Sequence, residues 1–268
     1  MTALLDVRRL VVKRGPRVVI DEVSLAVHPG EVVVVIGPNG AGKSSLVSAI
    51  TGDLQPESGE VWLGDSQLGE LGLREQARLR AVLTQQSAVA FGFTVHEVVS
   101  MAREPWRSSA PQVDDAHVIS DALATTDVTH LGARPVQALS GGEQARVAIA
   151  RTLAQTTPLL IWDEPTAALD VKHQLLVMRR LRSHVRAGGG ALVVLHDLTL
   201  ASQVADRVVI LKSGLLVAEG APSQVLTAER LSEVYEAEFL VHEIPGRALA
   251  VIPRMEALAI PPTDGPRG

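Results

Sequence analysis

Apolar and polar residues alternate through two runs between about positions 3 and 28, and the break between them at Gly15-Pro16 predicts a β-hairpin. Gly59-Glu60-Val61-Trp62-Leu63-Gly64 adds a short strand, so an antiparallel β layer is expected. A different pattern starts at Val32. Val32 to Ile36 is apolar at every position, too short for a helix and rich in β-branched residues, which predicts a central parallel strand buried on both faces. Leu159 to Asp163 and Ala191 to Leu195 read as strands of the same core. From Gln85 to Leu139 the strand signals give way to helical spacing, in Val95 to Arg103 and in Asp114 to Ala124, and an inserted helical subdomain is expected over about 86–140. Further helices are expected over Ser45 to Ile50, after Gly142, and from Val171 to Ala187, the last closed by Gly188-Gly189-Gly190. A second hairpin turns at Lys212-Ser213-Gly214. Strands alternating with helices give an α/β class with a mainly parallel core sheet. No internal repeat is evident, no apolar run is long enough to span a bilayer, and the stretch from Pro253 reads as a flexible tail.

Composition narrows the chemistry. A chain of 268 residues suffices for one large α/β domain, and the absence of cysteine excludes disulfides, thiolate metal sites and cysteine nucleophiles. Charge follows almost at once after Met1, so no secretory leader is expected. The formal net charge of −5 argues against a broad basic surface for nucleic acid or anionic lipid. Most cationic side chains are arginine; lysine stands only at 13, 43, 172 and 212, which singles out Lys43.

Lys43 lies in Gly37-Pro38-Asn39-Gly40-Ala41-Gly42-Lys43-Ser44, followed by Ser45, a full match to the G-x-x-x-x-G-K-[ST] phosphate loop. Strand before and helix after are the context that motif needs. The glycines let successive N–H groups cup the β- and γ-phosphates, Lys43 adds a slim point charge, and Ser44 offers its hydroxyl to Mg²⁺. The strand Leu159-Leu160-Ile161-Trp162 ends in Asp163-Glu164, at the edge where open α/β sheets bind ligands. Asp163 is expected to hold Mg²⁺ through water, and Glu164 to polarise the attacking water. Leu139-Ser140-Gly141-Gly142-Glu143-Gln144 opens a helix on a glycine floor. It reads either as an ordinary capping box, Ser140 with Glu143, or as an anion site built from unpaired first-turn N–H groups.

These motifs, with Ala168-Leu169-Asp170 and Leu195-His196-Asp197 in the same order, resemble an ABC transporter ATPase subunit. The resemblance covers the chain to about Val241. It implies a P-loop NTPase of the ABC ATPase type over 1–241, with an antiparallel β subdomain and the helical insert, and a C-terminal extension over 242–268. It implies ATP and Mg²⁺ as cofactors. Gln85 in Val82-Leu83-Thr84-Gln85 is the implied glutamine that touches Mg²⁺ or water and senses the membrane subunit, with Gln86 as second choice. His196 is the implied contact to the γ-phosphate, and Asp170 links the two active sites of a dimer; Asp170 also reads as an ordinary N-cap. Because Ser140 ends the helical insert, Ser140 to Gln144 are expected to face the partner's ATP in a homodimer. The family's adenine-stacking aromatic is missing: Lys13 and Arg14 stand where it aligns.

Phe91-Gly92-Phe93-Thr94-Val95, His173-Gln174 after Asp170, and Val234-Tyr235 to Phe239 with His242 resemble the importer branch that serves iron siderophores, cobalamin and haem, and match its haem subgroup best. This implies two membrane-spanning permease subunits, an extracytoplasmic haem-binding protein, no nucleic acid, and a peripheral place on the cytoplasmic face of the cell membrane. His96, His173 and His242 read as surface or docking residues. A siderophore or cobalamin importer is the alternative. From another class, a DNA-repair or chromosome ATPase needs a long coiled-coil insertion that does not fit between Ser44 and Leu139, and a translation or regulatory ATPase usually carries two such domains.

Overall fold

The computed structural model describes residues 2–84, 92–107, 114–244 and 248–254. The first two apolar runs form β1 (Leu5–Arg14) and β2 (Arg17–Val27), paired antiparallel with Arg14 opposite Arg17. Leu5, Val7, Leu10 and Val12 turn inward, and register shifts after Val7 and Leu10 coincide with positive φ at Arg9 and Glu22. The chain then runs through β3 (Val32–Ile36), α1 (Lys43–Ile50), β4 (Ser58–Leu63), β5 (Ser66–Gln67), α2 (Leu73–Leu79) and β6 (Arg80–Leu83). The inserted helices are α3 (Val95–Ser100) and α4 (Asp115–Thr125), and α5 (Gly141–Ala154) leads back to β7 (Leu159–Asp163). α6 (Val171–Arg186), β8 (Gly190–Val194), α7 (Leu198–Val204), β9 (Arg207–Lys212), β10 (Leu215–Gly220), α8 (Pro222–Val225), α9 (Ala228–Tyr235), β11 (Phe239–Ile244) and β12 (Ala248–Pro253) complete it.

β1, β2, β4 and β5 make the antiparallel layer, in the order β2-β1-β4-β5. The core sheet runs β10-β9-β3-β8-β7-β6, parallel except for β10 at its edge. This is the α/β architecture expected. All five residues of β3 are buried because each face meets a different apolar layer: Val33 and Val35 pack toward β1 and α1, while Val32, Val34 and Ile36 pack toward α6 and α7. Trp162 of β7 is fully buried and satisfies its indole N–H on Thr152 Oγ1 at 3.1 Å. The insert has its own core, in which Val95, Val98, Ile119, Leu123 and Val128 meet Val147 and Ala150 of α5. Among the described residues no helix is long and apolar enough to cross a membrane.

Two expectations shift. The helix expected from Val95 to Arg103 is α-helical only to Ser100 and tightens into 3₁₀ turns over Met101–Trp106, where Pro105 has no N–H to give. The division expected after Val241 falls inside β11. Leu249 and Val251 of β12 are buried in the main core, and the β12 backbone is held by hydroxyls of α7: Ser202 Oγ exchanges hydrogen bonds with Leu249, and Thr199 Oγ1 with Val251. Residues 242–244 and 248–254 therefore pack as part of the fold. The tail beyond them lies outside the described residues.

Candidate nucleotide-binding and hydrolytic site

The loop between β3 and α1 is forced into shape by its neighbours. A Cβ on Gly37 would stand 2.2 Å from the Leu211 carbonyl oxygen, and one on Gly42 2.5 Å from that of Val19. Both also sit at positive φ, 151° and 105°, so only glycine lets the loop thread between β9 and β2. Lys43 is buried, and its Nζ donates to the Gly37 carbonyl at 2.6 Å and the Pro38 carbonyl at 3.0 Å. Burial lowers its pKa, while Glu164 and Asp163 oppose that shift. No carboxylate lies in the first turn of α1 and no side chain caps it at Gly42, so the positive end of the helix is not neutralised by its own residues.

The facing wall comes from the ends of β7 and β8. Asp163 is 5% exposed and hydrogen-bonded to the Ser44 side chain, and its Oδ1 has no hydrogen-bond partner. Burial raises its pKa, Glu164 adds to the rise, and Ser44, Lys43 and His196 oppose it. A buried carboxylate oxygen without a partner, beside a hydroxyl, is a hard-oxygen donor set that fits Mg²⁺. Glu164 occupies the left-handed region at φ 54°, and its N–H donates to the Val194 carbonyl at 3.1 Å. Non-glycine residues pay for that conformation, and here it aims the carboxylate away from the strand toward His196. Glu164 Oε1 and His196 Nε2 lie 2.5 Å apart.

Lys43, Ser44, Glu164 and His196 line one cavity of about 670 Å³ together with Arg14, Arg17 and Val19. Asn39, Gly40, Ala41, Gly42 and Ser45 also line it, and none of its described lining residues is aromatic. A larger cleft of about 1120 Å³ lies beside Arg182, Asp206 and Glu243, away from the phosphate loop; chemistry rather than volume marks the site.

Ser140 to Gln144 do not line that cavity. They start α5 as a complete capping box: Ser140 Oγ accepts from Glu143 N–H at 3.4 Å, and Glu143 Oε2 accepts from Ser140 N–H and Oγ–H, both at 2.8 Å. The Ser140 N–H and hydroxyl contacts lower the pKa of Glu143. Gln144 Nε2 donates to the Leu139 carbonyl, Gly141 is open to solvent, and Gly142 sits against loop 164–170, where a Cβ would meet the Ala168 carbonyl oxygen at 3.1 Å. The capping-box reading of the hexapeptide is borne out, and the helix start it fixes is exposed at Ser140 and Gly141. Asp170 caps α6, accepting from His173 N–H at 2.9 Å. Gln85 and Gln86 lie outside the described residues.

Two residues of interest escape reading from the sequence. Arg17 faces the cavity beside Arg14; the tight turn at Gly15-Pro16, which sets the two arginines opposite each other, was the available signal. His173 is not an ordinary surface residue. Its side chain is 13% exposed and lies between two carboxylates, Asp170 and Asp127, and Asp127 is too distant in sequence to leave a signal.

The ABC transporter family profile matches residues 20–167. The hemin import ATP-binding protein HmuV of Thermobifida fusca is 48% identical over 252 residues, covering 93% of this chain and 89% of the relative. HmuV of Pseudomonas fluorescens strain Pf-5 is 42% identical over 254 residues, covering 93% and 99%. Among solved structures, the dimeric bacterial ABC transporter cassette MJ0796 superposes with a TM-score of 0.72 at 26% identity, over 81% of this chain and 98% of the cassette. An ATP binding subunit of an ABC transporter shares the fold, with a TM-score of 0.77 at 24% identity over 88% of this chain and 95% of that one.

Proposed function

The chain belongs to the ABC transporter family of ATPases, and from that premise we propose that it is the ATP-hydrolysing subunit of a haem importer, with active sites completed between two copies. The observation that carries the reading is the convergence of Lys43, Ser44, Glu164 and His196 on one cavity, with Asp163 buried behind it on the Ser44 side chain and the α5 N-terminus left outside. Lys43 Nζ exchanges its loop carbonyls for β- and γ-phosphate oxygens, and the loop N–H groups hold the rest. Ser44 and Asp163, with Gln85, hold Mg²⁺, which when bound neutralises phosphate charge. Glu164 accepts a proton from the water that attacks the γ-phosphorus, as the bond to the ADP oxygen breaks. His196 orients Glu164 and contacts the γ-phosphate.

A partner's Ser140-Gly141-Gly142 helix start supplies N–H groups to the far side of that phosphate, so closing the dimer excludes water and completes each site. Release of phosphate charge reopens it. Asp170 links the two sites. Two membrane-spanning permease subunits dock near Gln85 and convert the open–closed cycle into transport. The subunit thus sits peripherally on the cytoplasmic face of the membrane. Cargo touches the permeases and an extracytoplasmic haem-binding protein, and never this chain. The hemin import names of relatives at 41–48% identity support haem over siderophore or cobalamin.

With the permeases in vesicles, hydrolysis should rise several-fold when haem-loaded binding protein is added on the far side. Stimulation by ferric siderophore or cobalamin carriers, and none by haem, reassigns the cargo.

Base selectivity should be weak. Arg14, Arg17 and Val19 offer guanidinium planes and methyl groups that pack on any purine, and none of these three carries a side-chain acceptor for the adenine amino group. ATP and GTP affinities are expected within about tenfold of each other, because strong rejection requires hydrogen bonds that the wrong base leaves unpaired. Competition titration checks this, and a preference for ATP of about a thousandfold contradicts it.

A further inference from the structure

We propose that His173 is a positioning residue that ties the loop carrying Glu164 and Asp170 to the inserted helices, so that the hydrolytic base and the Ser140 helix start move together. The inference deepens the ATPase reading and rests on it. His173 Nδ1 lies 2.7 Å from Asp170 Oδ1, and Nε2 lies 3.4 Å from Asp127 Oδ2. The two carboxylates belong to different parts of the fold. Asp127 follows α4 at φ 56° and precedes Val128, which is fully buried in the core of the insert, so it moves with the insert. Lys172 Nζ adds a second, exposed link to Asp127 at 3.4 Å. Arg146 of α5 lies near both carboxylates and favours their ionised forms.

The other end of the link is rigid. Ala167 N–H donates to the Glu164 carbonyl at 3.3 Å, and Leu169 N–H to that of Thr166 at 3.1 Å. Gln174 Nε2 donates to the Thr166 carbonyl at 3.3 Å and the Leu169 carbonyl at 3.1 Å. A displacement of Asp170 is therefore carried back along the loop to Glu164. Capping α6 needs only the Asp170 carboxylate and the N–H of residue 173. It needs neither an imidazole nor Asp127, and the bridge to the insert accounts for both. Gly142 against the Ala168 carbonyl is a second point where the Ser140 helix start abuts the same loop. The His173-Gln174 pair thus acquires a division of labour: Gln174 stiffens the loop, and His173 fastens it to the element that delivers Ser140.

The test compares the parent chain, Asp127→Asn, His173→Ala and the double variant by steady-state ATP hydrolysis. Each single change should lower kcat about tenfold with KM within about twofold, since misalignment of a base acts on the transition state and leaves ground-state binding alone. The double variant should be no worse than the poorer single, as expected for two partners in one link. Asp127→Asn preserves side-chain size at an exposed position, so its loss of kcat is required even if His173→Ala folds poorly. Parental kcat in Asp127→Asn, losses that multiply in the double variant, or a rise in KM with kcat unchanged overturns the inference. A parent chain that hydrolyses no ATP overturns the ATPase reading instead.

Discussion

Glu164→Gln should lower turnover by about a thousandfold while leaving ATP bound, because the amide keeps the size and polarity of the carboxylate and loses its ability to take a proton. Glu164 has the geometry for that role. Its backbone is held at φ 54° by the N–H bond to Val194, and its Oε1 sits 2.5 Å from His196 Nε2, so the side chain is aimed before substrate arrives. Binding should survive because Lys43 and the loop N–H groups are untouched, and because removing Glu164's charge relieves the like-charge pressure that helps raise the pKa of Asp163. With hydrolysis blocked, the phosphate charge that reopens the dimer is not released. Size-exclusion chromatography with ATP should then show a stable dimer of the variant. Turnover equal to that of the parent removes Glu164 from the role of general base.

Lys43→Ala should abolish binding rather than chemistry. The ammonium is buried, holds the Gly37 and Pro38 carbonyls, and is the cation facing Asp163 and Glu164 in the wall opposite. Without it, the phosphates would meet Glu164 with no loop ammonium to offset its charge, leaving Arg14 and Arg17 as the cationic side chains among the described lining residues. Charge-assisted hydrogen bonds are worth about 1.5–3 kcal/mol each, so losing two to phosphate weakens ATP binding by at least about a hundredfold. Arginine should not restore it, because its planar fork is broader than the ammonium that sits on the Gly37 and Pro38 carbonyls. Titration with a fluorescent ATP analogue reads the loss, and an affinity near the parent's contradicts it.

The parts legible in the sequence are those whose cause is local. Val32 to Ile36 reads as a doubly buried strand because every position is apolar, and the phosphate loop because its residues are contiguous. The insert shows in the change of period at Val95, and the α5 cap in Ser140 and Glu143, three residues apart. What escaped depends on distant partners. β12 is held by hydroxyls of Ser202 and Thr199, 47 and 52 residues before the backbone they bind. α7 has seven residues, too few for a periodic pattern to emerge. The left-handed turn at Glu164 has no glycine to announce it and follows from the grip of β8 on its N–H. His173 reads as a surface histidine in the sequence because Asp127, which the fold brings beside it, lies 46 residues earlier.

That the catalytic unit is two chains, each completing the other's site, is most directly tested by mixing two inactive variants. Lys43→Ala lacks a nucleotide grip and Ser140→Arg blocks the helix start, but a heterodimer of the two keeps one intact pairing of phosphate loop with the partner's Ser140 helix. Each variant alone should be inactive, and an equimolar mixture should recover up to about a quarter of the parent rate, since half the dimers are mixed and each holds one good site. A mixture as inactive as its components, or a Ser140→Arg chain that hydrolyses ATP by itself, contradicts the composite site.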